Sequence, residues 1–84
     1  MTDMLQLEIA TPEKQVVSKA VEYAHIPGKD GYMGILPGHA ALLSELGAGE
    51  LSVTAAGHTE TYQITGGYVE VRDNHVRVLA DSVG

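Results

Sequence analysis

Apolar and polar residues alternate along most of the chain, with the period of two that is typical of β-strands with one buried face. The residues predicted to face inward on these strands are Leu5, Leu7, Ile9, Leu51, Val53, Ala55, Tyr62, Ile64, Val69, Val71, Val76, Val78 and Ala80. A further run, 16–26, is rich in β-branched and aromatic residues. We expect Val17, Val21 and Tyr23 to share one face of that strand.

Glycine, proline, asparagine and aspartate separate these runs and predict turns. The predicted turns lie at 11–13, 26–31, 37–38, 47–49 and 56–58. Asp73-Asn74 predicts a hairpin turn because both residue types tolerate positive φ, whereas Gly66-Gly67 is expected to interrupt its strand. The short segment 40–46 is interpreted as extended or as a single turn. Short strands without a long helical pattern predict one all-β domain over residues 1–84, an antiparallel β-sandwich or flattened barrel.

The segment 31–44 is the part of the chain that ordinary folding needs explain least. Three glycines and a proline surround apolar residues there, so the backbone must turn sharply while side chains still reach a core. His39 lies on this loop, where side chains are presented outward. Leu42 and Leu43 are adjacent, and adjacent side chains of a strand point to opposite faces. The pair therefore indicates an apolar patch that awaits a partner.

Composition and charge narrow the classes of ligand. Five Lys and Arg against eleven Asp and Glu give a formal net charge of -6, which disfavours nucleic acid and anionic lipid headgroups. The longest apolar run, Ala40–Leu43, is far shorter than the roughly 20 residues of a membrane span, so we expect no direct lipid insertion. The chain has no cysteine, and a domain of this size buries only roughly 60% of its unfolded surface. Packing or partners must therefore supply its stability.

Candidate catalytic and metal-binding groups do not assemble into a pattern. The four histidines are separated by 14, 19 and 17 residues, which match no compact metal-ligand motif. The acidic residues are dispersed singly and offer no evident pair of general acid and base. No serine has the glycine-flanked elbow of hydrolases. We therefore expect no metal, no cofactor and no catalytic site.

Lys29 raises an alternative function. A lysine on a tight turn of a small acidic β domain resembles the attachment point of lipoyl and biotinyl carrier domains. Those domains usually flank the lysine as Asp-Lys-Ala or Met-Lys-Met, whereas this chain has Gly28-Lys29-Asp30. A solvated turn lysine is the simpler interpretation, and a carrier domain modified at Lys29 stays open as the alternative.

Two blocks of sequence resemble the epsilon subunit of rotary F-type ATP synthases, which is called delta in mitochondria. The first block reads GYMGILPGHA from Gly31 to Ala40 and continues with Leu42-Leu43. The second reads GGYVEV from Gly66 to Val71 and continues to Asp81. The two blocks stand in the family's order and spacing, and the resemblance covers essentially the whole chain.

The resemblance implies the family's N-terminal domain, a ten-stranded β-sandwich, in a noncatalytic rotor subunit. In the family this domain lies at the foot of the central stalk, where it binds the gamma subunit and rests on polar loops of the c ring. There it helps couple proton or sodium flow to ATP synthesis, at the cytoplasmic face of the bacterial plasma membrane. By position, the resemblance implies a c-ring-facing interface of Gly28, Lys29, Asp30, Gly31, Tyr32 and His39, and a gamma-facing interface of Leu42, Leu43 and Ser44.

The chain departs from the family pattern in three places. Ala41 stands where the family often has proline, and Tyr32 stands where some members carry an acid, which changes the polarity of the implied c-ring contact. Family members usually continue into a C-terminal helical hairpin that restrains ATP hydrolysis and in some binds ATP, whereas this sequence stops at Gly84. For a naturally short protein or a truncated form alike, we expect no hairpin inhibition and no nucleotide site.

Overall fold

The computed structural model describes residues 3–84, which form an all-β structure of seven strands. The strands are β1 (Leu5–Ala10), β2 (Gln15–Val21), β3 (Tyr23–Gly28), β4 (Gly31–Ile35), β5 (Leu42–Ala55), β6 (His58–Arg72) and β7 (His75–Ala80). Within residues 3–84 no helix has the length and apolarity needed to span a membrane. Residues 40–46 are extended from Leu42 onward, which agrees with one of the two interpretations of that segment.

The seven strands form one mixed sheet in the order β2-β1-β7-β6-β5-β3-β4. Every neighbouring pair is antiparallel except β1 and β7, which run parallel with Gln6 opposite His75. The expectation of a wholly antiparallel sheet is therefore wrong at this pair. Alternation within each strand cannot reveal the direction of its neighbour, because side-chain faces alternate equally in both arrangements.

The sheet folds over on itself because the two longest strands bend near their middles. Leu46 pairs with Gly67, and Ala48 pairs with Thr65, so Gly47 and Gly66 face each other at the bend. The φ angles of Gly66 and Gly67 are 86° and 115°, which glycine adopts at no steric cost. The first layer contains β2, β1, β7 and the adjoining halves of β6 and β5, and the second layer contains the remaining halves with β3 and β4.

This bend corrects two predictions about strand boundaries. Residues 47–49 do not end β5, and Gly66-Gly67 does not interrupt β6, because pairing between the two strands resumes directly on either side. The described residues consequently form seven strands rather than the ten that the resemblance implied. Glycine was interpreted as a strand breaker, whereas here its freedom at positive φ lets a continuous strand turn a corner.

The core lies between the two layers and consists of the residues that alternation predicted to face inward. Of those residues, Tyr62 and Ala55 are partly buried against the core, and the others are almost fully buried. The other buried residues of the core are Val21, Ala24, Ile26, Ile35 and Leu46. No polar side chain of residues 3–84 belongs to the buried set. At one open end of the sandwich, Lys19 of β2 forms an ion pair with Glu60 of β6 and so links the two layers.

The run 16–26 forms two strands rather than one. The chain bends at Glu22, whose amide donates to Thr54 O at 2.8 Å and whose carboxylate accepts from the Ala56 amide at 3.1 Å. Val21 before the bend and Ala24 after it are both fully buried, so the bend shifts the phase of the alternation. Tyr23 therefore lies on the outer face, and the prediction that it shares a face with Val21 is wrong.

The two-residue turns follow the local sequence closely. Asp73 and Asn74 have φ angles of 51° and 60°, which confirms the predicted hairpin turn between β6 and β7. Ala56 and Gly57 have φ angles of 52° and 79° and form the turn between β5 and β6, also as predicted. Positive φ at both central residues suits the right-handed twist of the flanking strands.

Candidate interaction surfaces

The outer face of the first layer carries an exposed apolar patch, which we define as Ala10, Leu43, Tyr68 and Leu79. Leu43, Tyr68 and Leu79 expose 73%, 52% and 51% of their surface. Tyr68 lies opposite Leu79, and Leu79 lies opposite Ala10 on the neighbouring strand. Leu43 is opposite Glu70, two residues along β6 from Tyr68, which puts it within reach of the aromatic ring. The patch therefore crosses four adjacent strands.

Of the predicted gamma-facing residues, only Leu43 projects outward. Leu42 packs against the core, as expected for the neighbour of an exposed strand residue. Ser44 shares the inward direction of Leu42, and its hydroxyl donates to Glu45 O at 3.2 Å. Tyr68 and Leu79 were not singled out from the sequence. Their signal is present in the sequence, because both are large apolar residues at outward positions, Tyr68 next to the inward-facing Val69 and Leu79 next to the inward-facing Val78.

A row of charged side chains borders the apolar patch. Glu8 Oε1 accepts hydrogen bonds from His75 Nε2 at 2.9 Å and from Arg77 Nε at 3.4 Å. The His75 hydrogen bond, opposed by partial desolvation and assisted by Arg77, lowers the pKa of the Glu8 carboxyl from its ordinary value. Glu70 lies opposite both Arg77 and Leu43, so the charged row runs directly to the edge of the patch.

The predicted c-ring-facing turn connects β3 to β4. Lys29 and Asp30 occupy the turn and are exposed, and Gly31 has a φ of 139°. The Lys29 amide donates to Glu45 O at 3.0 Å, and Lys29 Nζ lies 3.1 Å from a Glu45 carboxylate oxygen. This ion pair is exposed at both ends and contributes little to stability, whereas the amide bond fixes the turn against β5.

Tyr32 follows this turn, and its side chain lies on the outer face of the second layer. Its ring stacks on His25, with centroids 4.7 Å apart and planes inclined by 11°. The Glu50 amide donates to the Tyr32 hydroxyl oxygen at 3.2 Å. Tyr32 is nevertheless 54% exposed, so one side of the ring faces solvent.

His39 lies at a different place from the turn. The preceding Gly38 amide donates to Asn74 Oδ1 at 2.7 Å, which ties this loop to the β6–β7 turn. The His39 amide donates to Leu36 O at 3.1 Å, and its Nδ1 lies 2.7 Å from Ala40 O, close enough to donate a hydrogen bond. The six predicted c-ring-facing residues thus lie at two separate places. Residues 28–32 lie beside Glu45 of β5, and His39 lies near the start of β5.

Within residues 3–84, no three side chains of the metal-binding types lie close enough together to hold an ion. His25 stacks on tyrosine, His39 contacts its own loop, and His75 contacts Glu8. These three histidines therefore contribute to local structure.

Comparison with known proteins gives a consistent result. The family model described as "ATP synthase, Delta/Epsilon chain, beta-sandwich domain" matches residues 4–84. An ATP synthase epsilon chain of Solibacter usitatus is 47% identical over 81 residues, covering 96% of this chain and 60% of the relative. That of Koribacter versatilis is 46% identical over 82 residues, covering 98% and 58%. The chain therefore spans about three fifths of the length of these curated relatives.

Solved structures agree on the fold. A chain of the Euglena gracilis mitochondrial ATP synthase, in a structure of OSCP, F1 and the c-ring, matches with a TM-score of 0.90 and 25% identity, covering 96% of this chain and 52% of that one. A chain from the central stalk and c-ring of the Tetrahymena thermophila mitochondrial ATP synthase matches with a TM-score of 0.82, covering 99% and 67%. At 18% identity, the second match bears on the fold alone.

The matching family is not one of lipoyl or biotinyl carrier domains, which argues against the alternative of a carrier domain modified at Lys29. The β-sandwich, the glycine-rich loop and the second sequence block all fall within the matched residues 4–84. The chain belongs to the family of ATP synthase delta/epsilon chains, and the matched residues are its β-sandwich domain.

Proposed function

We propose that the chain is a noncatalytic central-stalk subunit of an F-type ATP synthase. It binds the gamma subunit and the c ring, and it helps couple ion translocation to ATP synthesis at the cytoplasmic face of the membrane. The observation that carries this proposal is the exposed apolar patch beside a charged row, on a domain of the delta/epsilon family. Contiguous exposed apolar residues rimmed by polar ones are typical of protein-binding surfaces.

The gamma-facing surface in this proposal is the apolar patch together with Leu42 and Ser44 beneath it. Leu43, Tyr68 and Leu79 supply the area that loses water on binding. Leu42 and Ser44 support the backbone of β5 from the core side rather than contact the partner. The charged row of Glu8, His75 and Arg77 lies beside this area and favours one orientation of a partner of complementary charge.

The c-ring-facing surface in this proposal is the turn Gly28–Tyr32, with His39 as a second contact. Exposed polar side chains on the turn, Lys29 and Asp30, suit contact with polar loops. His39 lies near the start of β5, close to the gamma-facing surface, so it contributes where the two surfaces approach each other. No buried charge is needed at either place, since the turn and the loop are both at the surface.

The proposed mechanism is mechanical. Leu43, in the apolar patch, and Glu45, which binds the Lys29 amide, are two residues apart on β5. Uninterrupted pairing of β5 with β6 from Leu42 to Leu46 holds both residues in one ladder and makes this stretch a rigid connection. Torque and position therefore pass between the gamma subunit and the c ring through this short stretch of β5.

Site-directed cross-linking tests this proposal. The sequence contains no cysteine, so a single introduced thiol reports one location. In the assembled synthase, a photoactivatable group on Leu43→Cys is expected to label the gamma subunit, and one on Asp30→Cys is expected to label the c subunit. Thr61→Cys, on the outer face of the second layer, serves as the control. Labelling of gamma from Thr61→Cys but not from Leu43→Cys would overturn the assignment of the gamma-facing surface.

A further inference from the structure

Three rings are stacked in a row on the outer face of the second layer. His25 lies between Tyr23 and Tyr32, with centroid distances of 6.4 Å to Tyr23 and 4.7 Å to Tyr32. The planes of neighbouring rings are inclined by only 21° and 11°. Tyr23 and His25 belong to β3, and Tyr32 belongs to the turn and strand that follow. The stack therefore joins the predicted c-ring-facing turn to a central strand of its layer.

Two glycines make room for this stack. A methyl group at Gly34 would come within 2.5 Å of the Tyr23 hydroxyl oxygen, and one at Gly49 within 2.6 Å of the Tyr32 hydroxyl oxygen. Neither glycine is among those with positive φ, so backbone strain does not require glycine there. The tyrosine rings, and for Gly49 also Pro27 Cβ at 3.2 Å, provide the reason instead, because a side chain at either position would collide with them.

The turn is tied to β5 on both sides of its bend. The Lys29 amide donates to Glu45 O before Gly47, and the Glu50 amide donates to the Tyr32 hydroxyl oxygen after it. Between these two points the ladder of β3 and β5 is interrupted, since residues 26–27 of β3 lie opposite residues 47–51 of β5. Side-chain and turn contacts hold the turn in place across this gap in the ladder.

We propose that His25, Tyr32 and Gly49 form a brace that fixes the orientation of the β3–β4 turn on β5. His25 is a positioning residue in this brace, because it holds the Tyr32 ring parallel to its own ring so that the hydroxyl meets the Glu50 amide. The consequence for the c ring rests on the proposed function given above. On that basis, Tyr32 orients the turn, and the exposed side chains of Lys29 and Asp30 make the outward contact.

Amide hydrogen exchange at Glu50 tests the brace without any partner. His25→Ala removes the stacking surface, and His25→Phe retains a flat ring. Exchange of the Glu50 amide is expected to be about two- to tenfold faster in His25→Ala, the range that corresponds to loss of an aromatic pair, and close to native in His25→Phe. The Gln6 amide, which donates to Asn74 O at 2.8 Å away from the stack, is the control, and its exchange is expected to change less than that of Glu50. Native-like exchange at Glu50 in His25→Ala would overturn the proposal.

A second pair of variants tests the role of Gly49. Gly49→Ala places a methyl group against the Tyr32 hydroxyl and is expected to accelerate Glu50 exchange by a similar factor. In the Tyr32→Phe background the colliding oxygen is absent and the nearest ring atom lies 3.5 Å away, while the tight contact with Pro27 Cβ at 3.2 Å is common to both backgrounds. Gly49→Ala is therefore expected to add less than about twofold to the effect of Tyr32→Phe alone. Equal effects in both backgrounds would contradict the brace.

The same variants separate the brace from the proposed c-ring contact. His25→Ala combined with Asp30→Cys is expected to lower cross-linking to the c subunit while cross-linking from Leu43→Cys to gamma stays native. Faster Glu50 exchange with undiminished c-subunit cross-linking would support the brace and overturn its role in c-ring contact. Unchanged exchange with reduced cross-linking would overturn the brace and leave the c-ring-facing turn standing.

Discussion

Two single substitutions, Leu42→Asp and Leu43→Asp, distinguish an effect on folding from an effect on gamma binding. Leu42 packs against the core, whereas Leu43 exposes 73% of its surface. Leu42→Asp brings a carboxylate against an apolar core and is expected to destabilise the domain by several kcal/mol, on the order of 3 or more. Leu43→Asp puts its carboxylate in solvent but opposite Glu70, and it is expected to lower the free energy of unfolding by no more than about 1 kcal/mol, well below the loss for Leu42→Asp.

The expected loss of gamma binding follows from the exposed fraction of Leu43. Full burial of a leucine side chain is favourable by about 1.5–3 kcal/mol, and the 73% still exposed is the part that a partner can bury. Loss of that burial makes the free energy of binding less favourable by about 1–2 kcal/mol, which corresponds to a roughly 5- to 30-fold larger dissociation constant. The aspartate adds a desolvation cost to this value.

The assays are urea unfolding of each variant and calorimetric titration of the folded variant with the gamma subunit. Leu36→Asp is the matched control, because Leu36 is a leucine outside the apolar patch that exposes 59% of its surface, and native affinity is expected for it. Destabilisation of Leu43→Asp comparable to that of Leu42→Asp would refute the assignment of faces on β5. Native affinity of a folded Leu43→Asp would refute the placement of Leu43 in the gamma-facing surface.

Two further predictions concern the fold. Gly67→Ala is expected to lower the free energy of unfolding by more than about 2 kcal/mol, since a methyl group there meets the Leu79 carbonyl at positive φ. Gly57→Ala, at positive φ in open space, is expected to cost only about 1 kcal/mol, and equal losses in the two urea titrations would argue against the close approach at the bend. Glu8→Gln tests the charged row. Folding lowers the pKa of Glu8 below its ordinary value of 4.5. The ionised carboxylate therefore stabilises the fold above pH 4.5, and this stabilisation is lost as the pH falls through the lowered pKa of the folded state. The difference in stability between native and Glu8→Gln protein is expected to be present at pH 7 and to shrink below pH 4.5, and a difference constant from pH 7 to pH 3 would contradict this.

Most of the core could be predicted from the sequence. In a strand with one buried face, apolar and polar residues alternate, and the apolar ones are those that face inward. Leu5, Leu7 and Ile9 are all fully buried, as predicted. Alternation fails where the backbone leaves its regular path. The bend at Glu22 reverses the face of Tyr23, and the bend at Gly66-Gly67 turns a strand that was expected to stop. Both depend on pairing with distant strands, which a local pattern does not contain.

The candidate surfaces could be predicted only in part, for a similar reason. Adjacency of Leu42 and Leu43 correctly indicated one exposed leucine, but it did not say which of the two. Tyr68 and Leu79 join Leu43 through strand pairing, which the sequence alone does not give. Stacking of His25 on Tyr32 likewise depends on the pairing of neighbouring strands. One of the two glycines that make room for the stack, Gly49, lies on a third strand, β5.

Equilibrium binding of the chain to the gamma subunit of the same organism, measured by calorimetry at moderate salt, is the decisive test of the proposed rotor function. Saturable one-to-one binding is expected, which Leu43→Asp weakens by about 5- to 30-fold or more and Leu36→Asp leaves unchanged. Absence of binding by a chain shown to be folded would contradict the proposed rotor function.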